Sequence, residues 1–223
     1  MVALVGQLFF EMHGIISYIR PMKNRKWLLL PFFFLHAHFV AAQLNAYQRS
    51  IQEHRQAYKK EFLTDENSPL KKEDTAFLRF FEPHSGYIVP AQFEKIEDKT
   101  GFDMQTHNGV LKKYFIYGFV TFTLQGKNCT LFIYQSEKLR TKAGMEDHLF
   151  IPFTDNTNYE QSFGGGRYLD FKIKDIQNNK LIIDFNKCYN PYCAYKEGYA
   201  CPIPPKENDL TIRIEAGEKL FAK

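Results

Sequence analysis

The chain has 223 residues, enough for one domain with its own hydrophobic core. Its formal net charge is +4. Arg20, Lys23, Arg25, Lys26 and Glu11 place +3 of this within the first 42 residues, leaving +1 for the remaining 181. A nucleic-acid partner therefore finds no support in net charge.

Residues 22–43 read MKNRKWLLLPFFFLHAHFVAAQ. A basic start, a run from Trp27 to Val40 without formal charge, and Val40-Ala41-Ala42 before Gln43 form the three-part layout of an export signal. The run is shorter than the roughly 18–20 apolar residues that span a bilayer. Cleavage is expected after Ala42, giving a secreted or periplasmic protein with no transmembrane segment once the signal is removed. Residues 1–21 read as an upstream over-extension of the start, or as a long n-region. The mature part, 43–223, reads as one domain, with a helical segment over 43–78 and a β part over 79–223.

Leu44, Tyr47, Ile51, Tyr58 and Phe62 fall on one face of an amphipathic helix over residues 44–63. Arg49, Gln52, Glu53, Arg55, Gln56, Lys59 and Lys60 take the other face, and Asn67-Ser68-Pro69 ends it. Residues 71–77 allow a short second turn. From Phe80 the pattern becomes β. Tyr87-Ile88-Val89-Pro90 is a short strand closed by proline. Residues 115–124 and 129–134 flank Gln125-Gly126-Lys127-Asn128 and form the clearest hairpin. The first of these strands is apolar on both faces, which places it centrally. Residues 150–153 form another strand. Residues 168–173 and 181–185 read as a second hairpin turning at Asn178-Asn179. Leu210, Ile212, Ile214 and Ala216 alternate as a last strand. One helix followed by about seven strands predicts a mainly β, α+β fold. The expected architecture is an antiparallel barrel or sandwich with the N-terminal helix packed on it.

Residues 150–220 are the densest in unusual chemistry. Consecutive glycines at 164–166 before Arg167 permit either an anion-binding nest with an arginine clamp, or a plain loop feeding the next strand with Arg167 paired to a nearby Asp. No P-loop, dinucleotide fingerprint, G-x-S-x-G or S-x-x-K motif is present. Asp170 and Asp184, placed on the expected second hairpin, are candidates for a carboxylate pair, with Asp155 and Glu207 nearby in sequence. Such residues more often cap turns or pair with Arg. Cys188, Cys193 and Cys201 stand close together, and export favours disulfides. Cys193–Cys201 is the preferred bridge. Zinc is a weaker reading, because there is no CxxC pair or nearby His. His54, His84, His107 and His148 show no paired metal spacing, so no metal site is assigned. Asn128-Cys129-Thr130 matches a glycosylation sequon, a weak signal by itself.

The segments PFTDNTNYEQSFGGGRYLDF, DFNKCYNPYCAY, CPIPPKEN and IEAGEK resemble the signature of the domain-of-unknown-function family 1684. The resemblance takes in the helix and the Asn67-Ser68-Pro69-Leu70 segment, and so nearly the whole mature chain. It implies a shared fold and site, an often secreted or periplasmic location, and no assigned activity. Matching positions include Asp155, Gly166, Arg167, Tyr168, Asp170, Asp184, Tyr189, Asn190, Glu207 and Glu218. Cys188 departs from the small residue usual there, which strengthens the pairing of Cys193 with Cys201.

The leading expectation is binding of a small polar or anionic ligand between the Gly-rich loop and the Cys/Pro-rich loop. Gly165, Gly166, Arg167, Tyr168, Asp155, Asn190 and Tyr189 would contact it. Arg167 would clamp the anion, Asp170, Asp184, Asn190 and Glu207 would orient it, and Tyr168, Tyr189 and Tyr195 would form walls. The alternatives are a hydrolase using Asp170, Asp184 or Glu207 as a carboxylate pair or cation site, and a structural or interaction module. The sequence specifies no cofactor and no oligomeric state.

Overall fold

The computed structural model describes the backbone of residues 30–222 and the side chains of residues 46–222. The expectation for residues 1–21 and much of that for the 22–42 leader lie outside the described residues. Contacts separate into two compact units that divide between Leu44 and Asn45. The second unit carries every side-chain contact that follows.

Helix α1 spans Leu30–Thr64. Ile51 and Phe62 are buried, and Tyr47 and Tyr58 are half-buried, as their spacing on one face demands. Leu44 lies outside the described side chains. Arg55 adds a bond from Nη2 to the Phe81 carbonyl at 2.7 Å and lies 4.7 Å from the centre of the Phe80 ring. The helix stops where Asp65 turns its carboxylate onto the Asn67 N–H at 2.8 Å and Pro69 follows. Among the described residues, no helix is long and apolar enough to cross a membrane.

Eight strands follow: β1 Ile88–Lys95, β2 Phe102–Met104, β3 Lys112–Leu124, β4 Lys127–Ser136, β5 His148–Asp155, β6 Arg167–Lys172, β7 Lys180–Asp184 and β8 Asp209–Leu210. A short helix, α2 Glu137–Arg140, joins β4 to β5. The main sheet runs β6-β5-β4-β3-β1-β7, all antiparallel, with β2 on β3 and β8 parallel to β5. β3 is central, as its two apolar faces predict. Alternate residues such as Val120, Phe122, Leu131, Ile133, Ile151, Phe153 and Ile183 share one core. Each contributes roughly 1.5–3 kcal/mol by leaving water.

The sheet curls into a half-barrel and does not close. The expected second hairpin is absent: β6 pairs with β5, and β7 pairs with β1. Asn178 and Asn179 do turn, with φ of 51° and 56°, but the turn closes only the Gln177–Lys180 bridge. The free edge of β6 is taken instead by Tyr189, which exchanges backbone bonds with Tyr168 at 2.9 and 3.1 Å. That crossing keeps the two end strands apart.

Three smaller expectations also change. Pro90 does not end its strand. Phe93 N–H points toward the β7 side, to Asn179. By alternation the Pro90 nitrogen points the other way, where pairing to β3 begins only at Gln92. Residues 212–216 alternate into the core but form no strand, because their backbone groups bond to Asp155, Asn156 and Arg167. The first hairpin turns on two residues, Gln125-Gly126, with φ of 53° and 74°.

Candidate functional site

Arg167 is fully buried. Its Nη2 donates to Asp155 Oδ2 at 2.6 Å and to the Ile214 carbonyl at 2.8 Å, and its Nη1 donates to the Ala216 carbonyl at 2.6 Å. Phe81 and Phe153 lie with ring centres 5.9 and 5.6 Å from the guanidinium. Asp155 uses its other oxygen to accept from the Thr157 and Ile214 N–H groups at 2.8 and 3.1 Å. This pair ties the loop after β5, the start of β6 and residues 212–218 together. Its chemistry is spent inside the core, and Arg167 faces no cleft.

The glycines before it have packing reasons. A Cβ at Gly165 would meet the His107 ring at 2.6 Å and Phe163 at 2.4 Å. Gly166 sits at φ +88°, and a Cβ there would meet the Phe153 carbonyl and Pro204, both at 2.6 Å.

A second buried knot centres on Glu218, which has no exposed surface. Its carboxyl accepts from Tyr195 OH at 2.7 Å, Tyr58 OH at 3.0 Å and Asn190 N–H at 2.9 Å. Burial pushes its pKa up to about 7, against the pull of those donors. The knot fastens α1 to the segment after β7. Asn190 is also fully buried here, its Nδ2 donating to the Lys219 carbonyl at 2.8 Å. Tyr168 is buried too, its hydroxyl bonded to the Pro202 carbonyl.

The gap between the β6 and β7 edges, roofed by α1, forms a cleft of about 960 Å³. Asp170 and Tyr189 enter from the β6 side, Asp184 and Lys180 from β7, and His54, Tyr58 and Glu61 from α1. Asp170 accepts from Tyr189 OH at 2.6 Å and meets His148 Nε2 at 3.1 Å. Burial, and then Asp170, push the Tyr189 phenol well above its usual pKa. Asp184 accepts from Tyr47 OH at 3.0 Å, from Asn186 N–H at 3.1 Å and from Asn186 Nδ2 at 3.0 Å; Lys187 stands 3.9 Å away. Burial, helped by Lys187, lowers the His54 imidazole and favours its neutral form. Glu61 lines the cleft, and its carboxylate makes no hydrogen bond or ion pair with the described residues. Partial burial against the cleft wall, and then the charge of Asp170, raise its carboxyl pKa.

A second groove of about 930 Å³ lies on the Gly-rich loop, beside Tyr159, Glu160, Gly165, His107 and Arg213. The expected site is thus divided. Gly165 borders this groove, as does the mostly buried Asp155. Asp170, Asp184 and Tyr189 meet in the cleft, whereas Arg167, Tyr168 and Asn190 are interior. Glu207 is exposed and borders neither opening. Tyr195 joins the Glu218 knot. The helical contribution was not anticipated, although His54, Tyr58 and Glu61, at spacings of four and three, gave a readable face.

Cys193 and Cys201 form a disulfide, with Cα atoms 6.2 Å apart. It closes the loop that follows Tyr192, a cleft wall. Cys129 and Cys188 are free and buried, and burial pushes the Cys188 thiol up to about 11. Among the described residues, no three His, Cys, Asp or Glu side chains converge as a metal site.

The model of a family described as "protein of unknown function (DUF1684)" matches residues 74–219. The chain belongs to this family. The match begins after α1, so the helical wall of the cleft lies outside it, whereas the resemblance read from the sequence extended over the helix. No curated protein matches the chain. The solution NMR structure of an uncharacterised protein from Haloarcula marismortui, gene locus rrnAC0354, is similar in fold. Its TM-score is 0.62 at 28% identity, covering 80% of this chain and 96% of that one.

Proposed function

We propose that the protein binds a small polar organic ligand in the cleft between β6 and β7. The observation that supports this is the meeting of Asp170, Tyr189 and an unpartnered Glu61 in a cavity of about 960 Å³. Cavities of this size, mostly apolar with a few polar groups, are the usual form of a small-molecule site. Arg167 has no part in the binding. A thermal-shift screen of sugars, amines, carboxylates and phosphates tests the reading. A ligand at 100 times its Kd stabilises by about 2.7 kcal/mol. The response should vanish in Ala57→Trp, which fills the cleft from an exposed helix position. Hits that persist in that variant would move the site elsewhere.

One observation favours a second reading, a hydrolase. Glu61 holds its proton to higher pH than an ordinary glutamate, and Asp170 is its electrostatic neighbour. A carboxyl that keeps its proton, facing a second carboxyl in the same cleft, suits a general acid beside a base. Asp184 is occupied by Tyr47, Asn186 and Lys187, so Glu61 replaces it in this scheme. Turnover of glycoside or ester substrates that is lost in Glu61→Gln without a change in melting would support it.

We further propose that the chain is exported and cleaved after Ala42. The Cys193–Cys201 disulfide supports an oxidising compartment.

A further inference from the structure

The charges of the cleft are unevenly matched. Glu61, Asp170, Asp175 and Asp184 line it, against the ammonium groups of Lys180 and Lys187. His54 adds no compensation, since its surroundings favour the neutral ring. Lys187 is drawn to Asp184. Asp175 is turned back onto the Lys172 N–H at 2.8 Å. The donors that reach Asp170 are a phenol and an imidazole, not an ammonium or guanidinium group. The Glu61 carboxylate has no donor among the described residues. Two carboxylates that act on each other electrostatically therefore face one space, and neither is paired with a Lys or Arg side chain among the described residues.

The walls beside these carboxylates are aromatic. Tyr58 and Tyr189 have ring centres 5.9 Å apart, and Phe62 and Tyr192 lie 5.7 Å apart. All four rings line the cleft. Aromatic faces are electron-rich and attract cations, most of all organic ammonium and guanidinium groups that shed water cheaply. An anion would meet both the uncompensated carboxylates and the negative faces of the rings. A metal ion would lack a converging set of three hard donors among the described residues. The cavity is also far larger than one ion requires.

We infer that the cleft takes an organic cation, a ligand whose ammonium or guanidinium group sits between Glu61 and Asp170 with its apolar part against Tyr58, Tyr189 and Tyr192. The inference rests on the ligand-binding reading of the cleft and names the chemical class. It leaves the anionic half of the sequence expectation without a place.

Isothermal titration of the full chain with agmatine, spermidine and choline, alongside inorganic phosphate, malonate and trehalose, tests it. At least one cation should bind, weaken with added salt, and lose about tenfold in affinity in Glu61→Gln, the size of one lost charge-assisted hydrogen bond. Binding should be abolished in Ala57→Trp. If trehalose or an anion binds instead and is blocked by Ala57→Trp, the cleft remains a ligand site and the cation class is overturned. Cation binding untouched by both variants, or no binding by any probe, would overturn the class and the cleft together.

Discussion

On strand β6, Arg167 and Asp170 stand three positions apart, and they belong to different parts of the molecule. Arg167 points inward, has no exposed surface and spends its hydrogen bonds on Asp155 and the backbone carbonyls of Ile214 and Ala216. Asp170 points to the cleft and keeps 43% of its side chain exposed. Both come from a single short motif, Arg167-Tyr168-Leu169-Asp170. The difference teaches that a dense run of charged, aromatic and glycine residues reports constraint. Whether a core or a ligand imposes the constraint depends on which way each side chain points.

The comparison is broken most forcefully at Arg167. Arg167→Ala leaves Asp155 buried without its cation. Removal of one partner from such a pair costs about 3–5 kcal/mol. Urea denaturation should show a loss of that size. A variant that kept its stability but lost a ligand would instead return Arg167 to the binding site.

The next effect in size comes from Glu218. Its carboxyl is raised from 4.5 to about 7 in the folded protein. Between those values the folded state holds a proton that the unfolded chain has released. The stabilising contribution is therefore complete below about 4.5 and is lost as pH rises through about 7. The loss amounts to roughly 3 kcal/mol if the whole shift is expressed. Glu218→Gln should flatten this part of the stability profile. The amide can donate to Tyr195, whose hydroxyl can turn toward Tyr58 at 2.8 Å. An unchanged slope in the variant would assign it to other groups.

The legibility of the fold followed the range of the interactions. The hairpin of β3 and β4 was readable because the turn and both strands are adjacent in sequence. The β6 and β7 pairings were not, because their partners are β5 and β1, and Asn178-Asn179 imitates a hairpin turn while closing one bridge. Residues 212–216 showed the right faces, but nothing local reveals that the Asp155 and Arg167 side chains take the place of a neighbouring strand. In the site, Asp170, Asp184 and Tyr189 were legible as chemistry. Glu61 was not, because the helix pattern reports an outer face without saying that a gap between sheet edges lies beneath part of it.

The smallest effect on stability is expected at Glu61, and it sharpens the comparison by repeating one substitution in two places. Glu61→Gln removes a cleft carboxylate that makes no hydrogen bond and is disfavoured by Asp170. Stability should change by no more than about 0.5 kcal/mol, with any change a gain at neutral pH as the repulsion is relieved. The same exchange at Glu218 reshapes the pH dependence of folding, whereas at Glu61 it should leave the melting curve of the free protein almost untouched. Thermal melts of the two variants from pH 4 to pH 8 make the distinction. If Glu61→Gln loses as much stability as Glu218→Gln at any pH in that range, the cleft carboxylate is a structural member like Glu218. The division between interior knot and open cleft then disappears.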